Sequence, residues 1–247
     1  MERQAISHIS NSQLDQFSQC PRMWYITKVL NEPTVSSDLA NRGSQFDQVV
    51  GSQLGLNPMP SDPLIERVGE AARLYLANGG WTRADESQRK VSLTPAQWEV
   101  LADIYGVDVP LPYPIVGYTD LFRKAEDGFR VEICDLKTSE RAEFRPSWAL
   151  QCTLYALIER AYMWEVHLVT FTKQIKLTKY QYRPNEETFR WAMNLIGYRA
   201  AEMKRFSTEA CVDKVPAQSG YQCRWCGWAT RCEAGLVGNI TATGVGA

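Results

Sequence analysis

The chain has 247 residues, 45% of them apolar and 22% charged, with a formal net charge of −1. That length suits one substantial core, and the near-zero charge excludes a global field that gathers polyanions, leaving nucleic acid only a local patch or bound cations. No apolar run approaches a membrane span, and the polar first twenty residues lack the apolar stretch of a secretory leader, which predicts a cytoplasmic protein.

Ser10 or Asn11 caps a short predicted helix that runs to Gln19 and stops at Cys20-Pro21. Further helices are expected over 38–54 and 63–77, the latter ending at Asn78-Gly79-Gly80. A strand over 88–93 leads into a helix opened by Thr94-Pro95 and then a proline-rich loop. A hairpin pairs 114–123 with 129–137, and Arg145-Pro146 opens a strongly apolar helix over 147–163. Strands over 166–172 and 176–182 precede a helix from 185 to about 206. Residues 1–235 read as a single domain and 236–247 as a disordered tail of small and polar residues. Strands and helices interleave around a hairpin, so the fold class is α/β with a central mixed sheet flanked by helices.

The hairpin carries the chemistry. Asp127-Gly128 between alternating apolar residues predicts a two-residue turn, for which cross-strand partners have numbers summing to 255. That register sets Asp120 of PIVGYTD opposite Asp135 of VEICDLKT, with the side chains roughly 5 Å apart at Cβ. Like charges so placed are destabilising unless something lies between them, and Lys137 shares their face. Val116, Phe122, Val131 and Ile133 have the same parity, so that face is expected to be covered, and buried charges are rarely left unpaired. The pattern points to a divalent-cation site. Its competitor is an acid pair on a wet surface, and a one-residue slip in register would undo the geometry.

The seven cysteines, an odd number without a secretory leader, argue against a disulfide framework. Cys134 and Cys152 lie in apolar strand and helix contexts and read as buried thiols. Cys223, Cys226 and Cys232 form a Cys-x2-Cys-x5-Cys run, which needs a fourth ligand from elsewhere: Cys20, held by a helix end and Pro21, is the first candidate, and Cys211, nearer in sequence, the second. Ligand type alone leaves zinc and iron–sulfur both open.

Taken in order, these segments resemble the RecB-like iron–sulfur branch of the PD-(D/E)XK nucleases, which includes CRISPR-associated adaptation nucleases, helicase-associated nucleases and phage exonucleases. The resemblance spans roughly residues 5–235. SNSQLDQFSQCPRMWY (10–25) is similar to the opening helix, and NRGSQFD (41–47) to the Arg-Gly-x-x-x-His segment. GYTD (117–120) resembles the Gly-x-x-Asp strand end, DLKTS (135–139) the acid-x-Lys-Thr-Ser motif, and QCTLY (151–155) the Gln-x3-Tyr helix. Cys20 with Cys223, Cys226 and Cys232 matches the ligands of a 4Fe-4S cluster. The chain departs from the pattern at Asp47, where the branch has a histidine; His8 and His167 do not fit that position.

The resemblance implies a restriction-endonuclease-like core with its two ends joined by the cluster. It also implies a Mg²⁺- or Mn²⁺-dependent deoxyribonuclease, an exonuclease acting on DNA ends or single strands in recombination, repair or CRISPR adaptation, alongside recombination, helicase or adaptation proteins. Asp47, Asp120, Asp135 and the Leu136 carbonyl would hold the metal, Lys137 would orient the attacking water, and Gln151 and Tyr155 would position water or substrate. An all-oxygen set with Asp47 suits Mg²⁺ or Mn²⁺ better than softer metals. Lys173, Lys176 and Lys179 alternate with aromatics as in single-strand binders, although an edge strand carrying solubilising lysines gives the same pattern. Arg141 and Arg145 are further candidates for phosphate contact. Two other readings compete: a cluster-bearing nucleic-acid binder of the same fold without catalysis, and a zinc-stapled interaction protein.

Overall fold

Local chemistry fixes most of the element ends in this computed structural model, which describes residues 4–32, 38–224 and 226–238. Helix α1 (Asn11–Gln19) starts where the Ser10 hydroxyl accepts the Gln13 amide at 3.3 Å, one of the orphan donors of a first turn. Cys20 ends it in extended conformation, and Pro21 opens the short α2 (Pro21–Trp24), which loosens into a π turn over Tyr25–Val29. Helix α3 (Asp38–Gln53) is followed by α4 (Val68–Ala77), which begins five residues later than the expected 63 because Arg67 takes a left-handed φ of 68°. Strand β1 (Glu86–Leu93) runs into α5 (Pro95–Tyr105), where Thr94 and Gln97 form a reciprocal capping box and Gly106 closes the end at φ 63°.

The hairpin consists of β2 (Ile115–Lys124) and β3 (Val131–Ser139). Its pairs run from Leu121–Cys134 to Lys124–Val131, each summing to 255 as expected. The turn differs from the expected two residues. Gly128 N–H donates to the Ala125 carbonyl at 2.9 Å, Ala125 N–H to the Arg130 carbonyl at 2.8 Å, and Gly128 sits at φ 72°, giving a four-residue loop over 126–129. Asp127 favours it by accepting the Phe129 and Arg130 amides, both at 3.0 Å. Two- and four-residue loops centred on the same point yield the same register, so the pairs next to the turn are the expected ones.

Helix α6 (Pro146–Glu159) stops four residues short of the expected 163 because Arg160 adopts φ 53°, and β4 (Met163–Phe171) starts at once. Strand β5 (Ile175–Tyr182) and helix α7 (Glu186–Ser207) follow, α7 opened by the Asn185–Thr188 capping box. Short 3₁₀ turns at Val212–Lys214, Tyr221–Arg224 and Ala229–Arg231 lead to α8 (Glu233–Gly238). Part of the expected disordered tail, 236–238, is therefore helical, and 239–247 lies outside the described residues.

Among the described residues the strands form one five-stranded mixed sheet, β1-β2-β3-β4-β5, in which β3 and β4 are parallel and every other pair is antiparallel. The parallel pair needs a crossover, and α6 supplies it. Each face of the sheet has its own core. Phe122, Ile133, Val166 and Leu168 pack with α1, α5, α6 and α7, whereas Leu121, Cys134, Leu136 and Val169 pack with α3 and α4. The expected covering of the acid face holds at Phe122 and Ile133, while Val116 and Val131 are only half-buried. No helix of the described residues is long and apolar enough to cross a membrane.

Candidate active site

The β2–β3 ladder stops at Leu121–Cys134, one step short of the acids. There the Asp120 side chain takes over from the backbone, as its Oδ2 accepts the Leu136 amide at 2.7 Å. Asp135 is 4% exposed, and its two oxygens are used differently. Oδ1 accepts Gln151 Nε2 at 3.0 Å, whereas Oδ2 faces Lys137 Nζ at 2.6 Å without a well-directed hydrogen bond. Gln151 is in turn held by Asn11, whose Nδ2 donates to Gln151 Oε1 at 3.2 Å.

Glycines let the flanking helices come close. A Cβ on Gly117 would lie 2.2 Å from the Tyr155 hydroxyl, so the glycine of GYTD leaves the space that Tyr155 fills above β2. A Cβ on Gly43 would lie 3.1 Å from Thr138 Oγ1, and this tight approach of α3 to β3 delivers Asp47, one turn further along, beside Asp120. Asp47 Oδ1 is buried without a hydrogen-bond partner.

The electrostatics follow from this crowding of acids. Burial, then the charge of Asp120, push the Asp47 carboxyl well above its ordinary range. Burial and next Asp135 raise Asp120 to about 7, against the opposing pull of Lys137, the Leu136 amide and Gln88. Burial alone would lower Lys137, but the charges of Asp135 and Asp120 overcome it and hold the ammonium above the usual lysine range. Burial and the Asp135 charge raise the Tyr155 hydroxyl, keeping it a neutral donor. Strained protonation equilibria in a cleft are what a functional site of this kind carries.

Asp47, Asp120, Asp135, Lys137, Gln151 and Tyr155 are thus brought into one neighbourhood, with Leu136 contributing its amide. Among the described residues no three His, Cys, Asp or Glu side chains are drawn together as a closed metal site. The donor chemistry nevertheless fits a hard cation: the oxygens are all carboxylate, and Asp47 Oδ1 lacks a partner that a cation would supply. The sequence reading missed two residues, Asn11 and Gln88, the latter donating to Asp120 Oδ1 at 3.0 Å. Asn11 was visible only as a helix start, and nothing marked Gln88.

The basic residues are dispersed. Arg141 and Arg145 are exposed on the connection from β3 to α6, with the Arg145 guanidinium over the Trp148 ring at 5.5 Å. Lys173 lies exposed in the β4–β5 turn. Lys176 and Lys179 have opposite parity on edge strand β5, and Lys179 Nζ donates to the Gly79 carbonyl at 2.8 Å. His8 is exposed beside Ser7, and His167 is buried between Glu165 and Tyr75.

At the other end of α1, Cys20, Cys223, Cys226 and Cys232 line one cavity. Cys211 is exposed and outside it, which favours Cys20 as the distant partner. The Gln218 amide donates to Cys20 Sγ at 3.4 Å. Buried Arg22 binds the Val215 and Asp213 carbonyls and Glu233, clamping the C-terminal segment to α2.

The family model for the PD-(D/E)XK nuclease superfamily matches residues 8–233. The chain belongs to the PD-(D/E)XK nuclease superfamily. Superfamily members are phosphodiester hydrolases and generally use divalent metals, in keeping with the mixed sheet and its central acids. The fold is shared with a solved structure named "Putative exonuclease" from Eubacterium rectale, at TM-score 0.56 and 10% identity, covering 97% of this chain and 91% of that one. A second solved structure, SSO0001, aligns over 94% of this chain and 89% of its own at 16% identity and TM-score 0.46. No curated protein matches the chain in sequence.

Proposed function

We propose that this member of the superfamily is a Mg²⁺- or Mn²⁺-dependent deoxyribonuclease of the RecB-like iron–sulfur branch, degrading DNA from ends or as single strands in recombination, repair or CRISPR adaptation. One observation carries the reading: Asp120, Asp135 and Lys137 lie together, with both Asp120 oxygens held by amides of Leu136 and Gln88, and Asp135 held by Gln151 on one oxygen and facing Lys137 on the other. They supply the aspartate and the acid-x-lysine of the superfamily pattern. Asp120, Asp135 and Asp47 would hold the cation, with the Leu136 carbonyl as a further ligand. A bound Mg²⁺ or Mn²⁺ supplies charge neutralisation at the scissile phosphate and acidifies water.

The protein's own groups do the rest. Lys137, kept protonated by Asp135, stabilises the charge that develops on the phosphate and orients the attacking water. Gln151 holds Asp135 Oδ1, so that Oδ2, now facing Lys137 Nζ, is the oxygen that would meet a cation. Tyr155, neutral and wedged over Gly117, closes the crevice from the α6 side and shapes the space left for substrate. Arg141, Arg145 and Lys173, exposed at loop positions, would contact the DNA backbone. Cys20, Cys223, Cys226 and Cys232, which line one cavity, would hold the 4Fe-4S cluster, and the Gln218 amide that donates to Cys20 Sγ is of the kind that tunes such clusters.

End-labelled single- and double-stranded DNA, linear and circular, tests this with Mg²⁺ or Mn²⁺ present. Linear DNA should be degraded and circular double strands spared. Asp135→Asn and Lys137→Ala should each lose about 10²–10³-fold or more in rate. Wild-type rates in either variant would remove the site.

A further inference from the structure

The two acids are not supported alike. Asp135 is oriented by Gln151, a residue of the helix motif, whereas Asp120 is oriented by a glutamine outside every motif. We propose that Gln88 is a positioning residue that fixes the Asp120 carboxylate for cation binding; this rests on the nuclease reading above and extends it by one residue.

The first observation is geometric. Gln88 Nε2 donates to Asp120 Oδ1 at 3.0 Å while the Leu136 amide donates to Oδ2 at 2.7 Å. One hydrogen bond per oxygen fixes the carboxylate plane and still leaves each oxygen a lone pair for a cation. Partners of this kind typically change metal affinity or activity by about 10–100-fold.

The second observation is the backbone. Gln88 has φ 50°, in the left-handed region, although it lies inside strand β1. A non-glycine residue is held there only where its surroundings over-determine it. Ladder pairs Ser87–Leu121 and Arg89–Thr119 flank the site, and the Gln88–Asp120 pair between them is missing. Side-chain alternation shifts at the same point: Ile115 and Leu121 share parity, yet they belong to the cores on opposite faces. A kink of this sort re-aims a side chain, as bulges next to active sites do. It is pinned on both sides. Ser87 Oγ donates to Asn57 Oδ1 at 2.9 Å, and Arg89 Nε donates to Glu159 at 3.0 Å.

The third observation is the space. Gln88 lines a cavity with Ser44, Asp47, Gln48 and Asn57, so the amide that orients Asp120 also borders Asp47. A structural glutamine would not need to sit in a strained conformation at the rim of the acid cluster.

Glycine separates backbone from side chain at residue 88. Gln88→Ala removes the amide and keeps the strain, while Gln88→Gly removes both, so Q88G should melt above Q88A. Both variants should lose about 10–100-fold in kcat/KM, mainly in kcat, and bind Mn²⁺ 10–100-fold more weakly by calorimetric titration in the absence of DNA. Unchanged Mn²⁺ affinity in both variants overturns the proposal. So does a loss that follows melting temperature, with Q88G close to wild type, which would make residue 88 a backbone requirement only. Should wild type hydrolyse no DNA, the nuclease reading falls, and the Mn²⁺ titration still decides the role of Gln88 by the same criterion.

Discussion

The two ends of helix α1 lead to two differently built sites. At its N-terminus Asn11 reaches Gln151 and, through it, Asp135 on a central strand flanked by β2 and β4. The acids there are held by strands, long helices and two cores, so their geometry follows from the packing of the whole domain. At its C-terminus Cys20 faces a segment of 3₁₀ turns and one short helix, joined to α2 largely by the polar grip of Arg22. Val215 and Ala229 are among the few apolar side chains buried there. A region with little apolar burial opens easily unless something else closes it. The acid site is shaped by the fold; the cysteine end, on the proposed reading, would be shaped by the cluster its thiols hold.

The sharpest way to break that contrast is to remove a thiol. Cys20→Ser or Cys223→Ser should abolish the brown colour and the roughly four irons per chain expected of anaerobically purified protein. Stability should fall by about 3–5 kcal/mol, a drop in melting temperature of roughly 10 °C or more, with new protease cleavage between 208 and 238. Asp135→Asn, by contrast, should be cut no faster than wild type. Stoichiometric zinc and no iron in wild-type protein would replace the cluster with a structural zinc; absence of both would sink the comparison.

Much of the acid site was legible in sequence because one turn sets the register beside it, whereas the shift in alternation along β2 between Ile115 and Leu121 was not. Asp127-Gly128 fixed the register even though the loop proved two residues longer, since both loops share a centre. Gly43 and Gly117 fell within motifs, and their close approaches give those motifs a steric reason. Gln88 was invisible because its left-handed conformation inside a strand goes with the anchoring of the residues on either side, Ser87 to Asn57 and Arg89 to Glu159, rather than with its own type. Cys20 was ahead of Cys211 already in sequence, by its place at a helix end before Pro21, and the cavity it shares with Cys223, Cys226 and Cys232 agrees with that order. Element ends at Arg67 and Arg160 were misjudged for one reason: each arginine takes a positive φ with no glycine to announce it.

A second test uses protons. The folded pKa of Asp120, about 7, lies above its ordinary 3.8, so between these values the native state holds a proton that the unfolded chain releases. Stability of the cation-free protein should therefore fall as pH rises through that window, and the full cost, on the order of a few kcal/mol, is present above it. A divalent cation binds the ionised form, so Mg²⁺ or Mn²⁺ should raise the melting temperature by several degrees more at pH 8 than at pH 5.5. Asp120→Asn should melt above wild type at pH 8 without cation and lose the cation-induced shift. An Asp120→Asn protein less stable than wild type at pH 8 would show that the acids are paired comfortably without an ion.

The smallest expected effect tests the link between the two ends. Asn11 donates to Gln151 Oε1, which forces the other side of that amide, Nε2, toward Asp135. Asn11→Ala removes the preference but leaves the amide free to find Asp135, so kcat should fall only about 3–10-fold, below the full effect of losing a direct partner. Asn11→Asp reverses the polarity. Its carboxylate accepts from Nε2, turns the amide over, and points Oε1 at the Asp135 carboxylate, acceptor against acceptor. Asn11→Asp should therefore be slower than Asn11→Ala, with KM little changed and the iron content of both at wild-type level. If the two variants are equally active, Asn11 only starts a helix, and α1 carries nothing from the cysteine end to the acids.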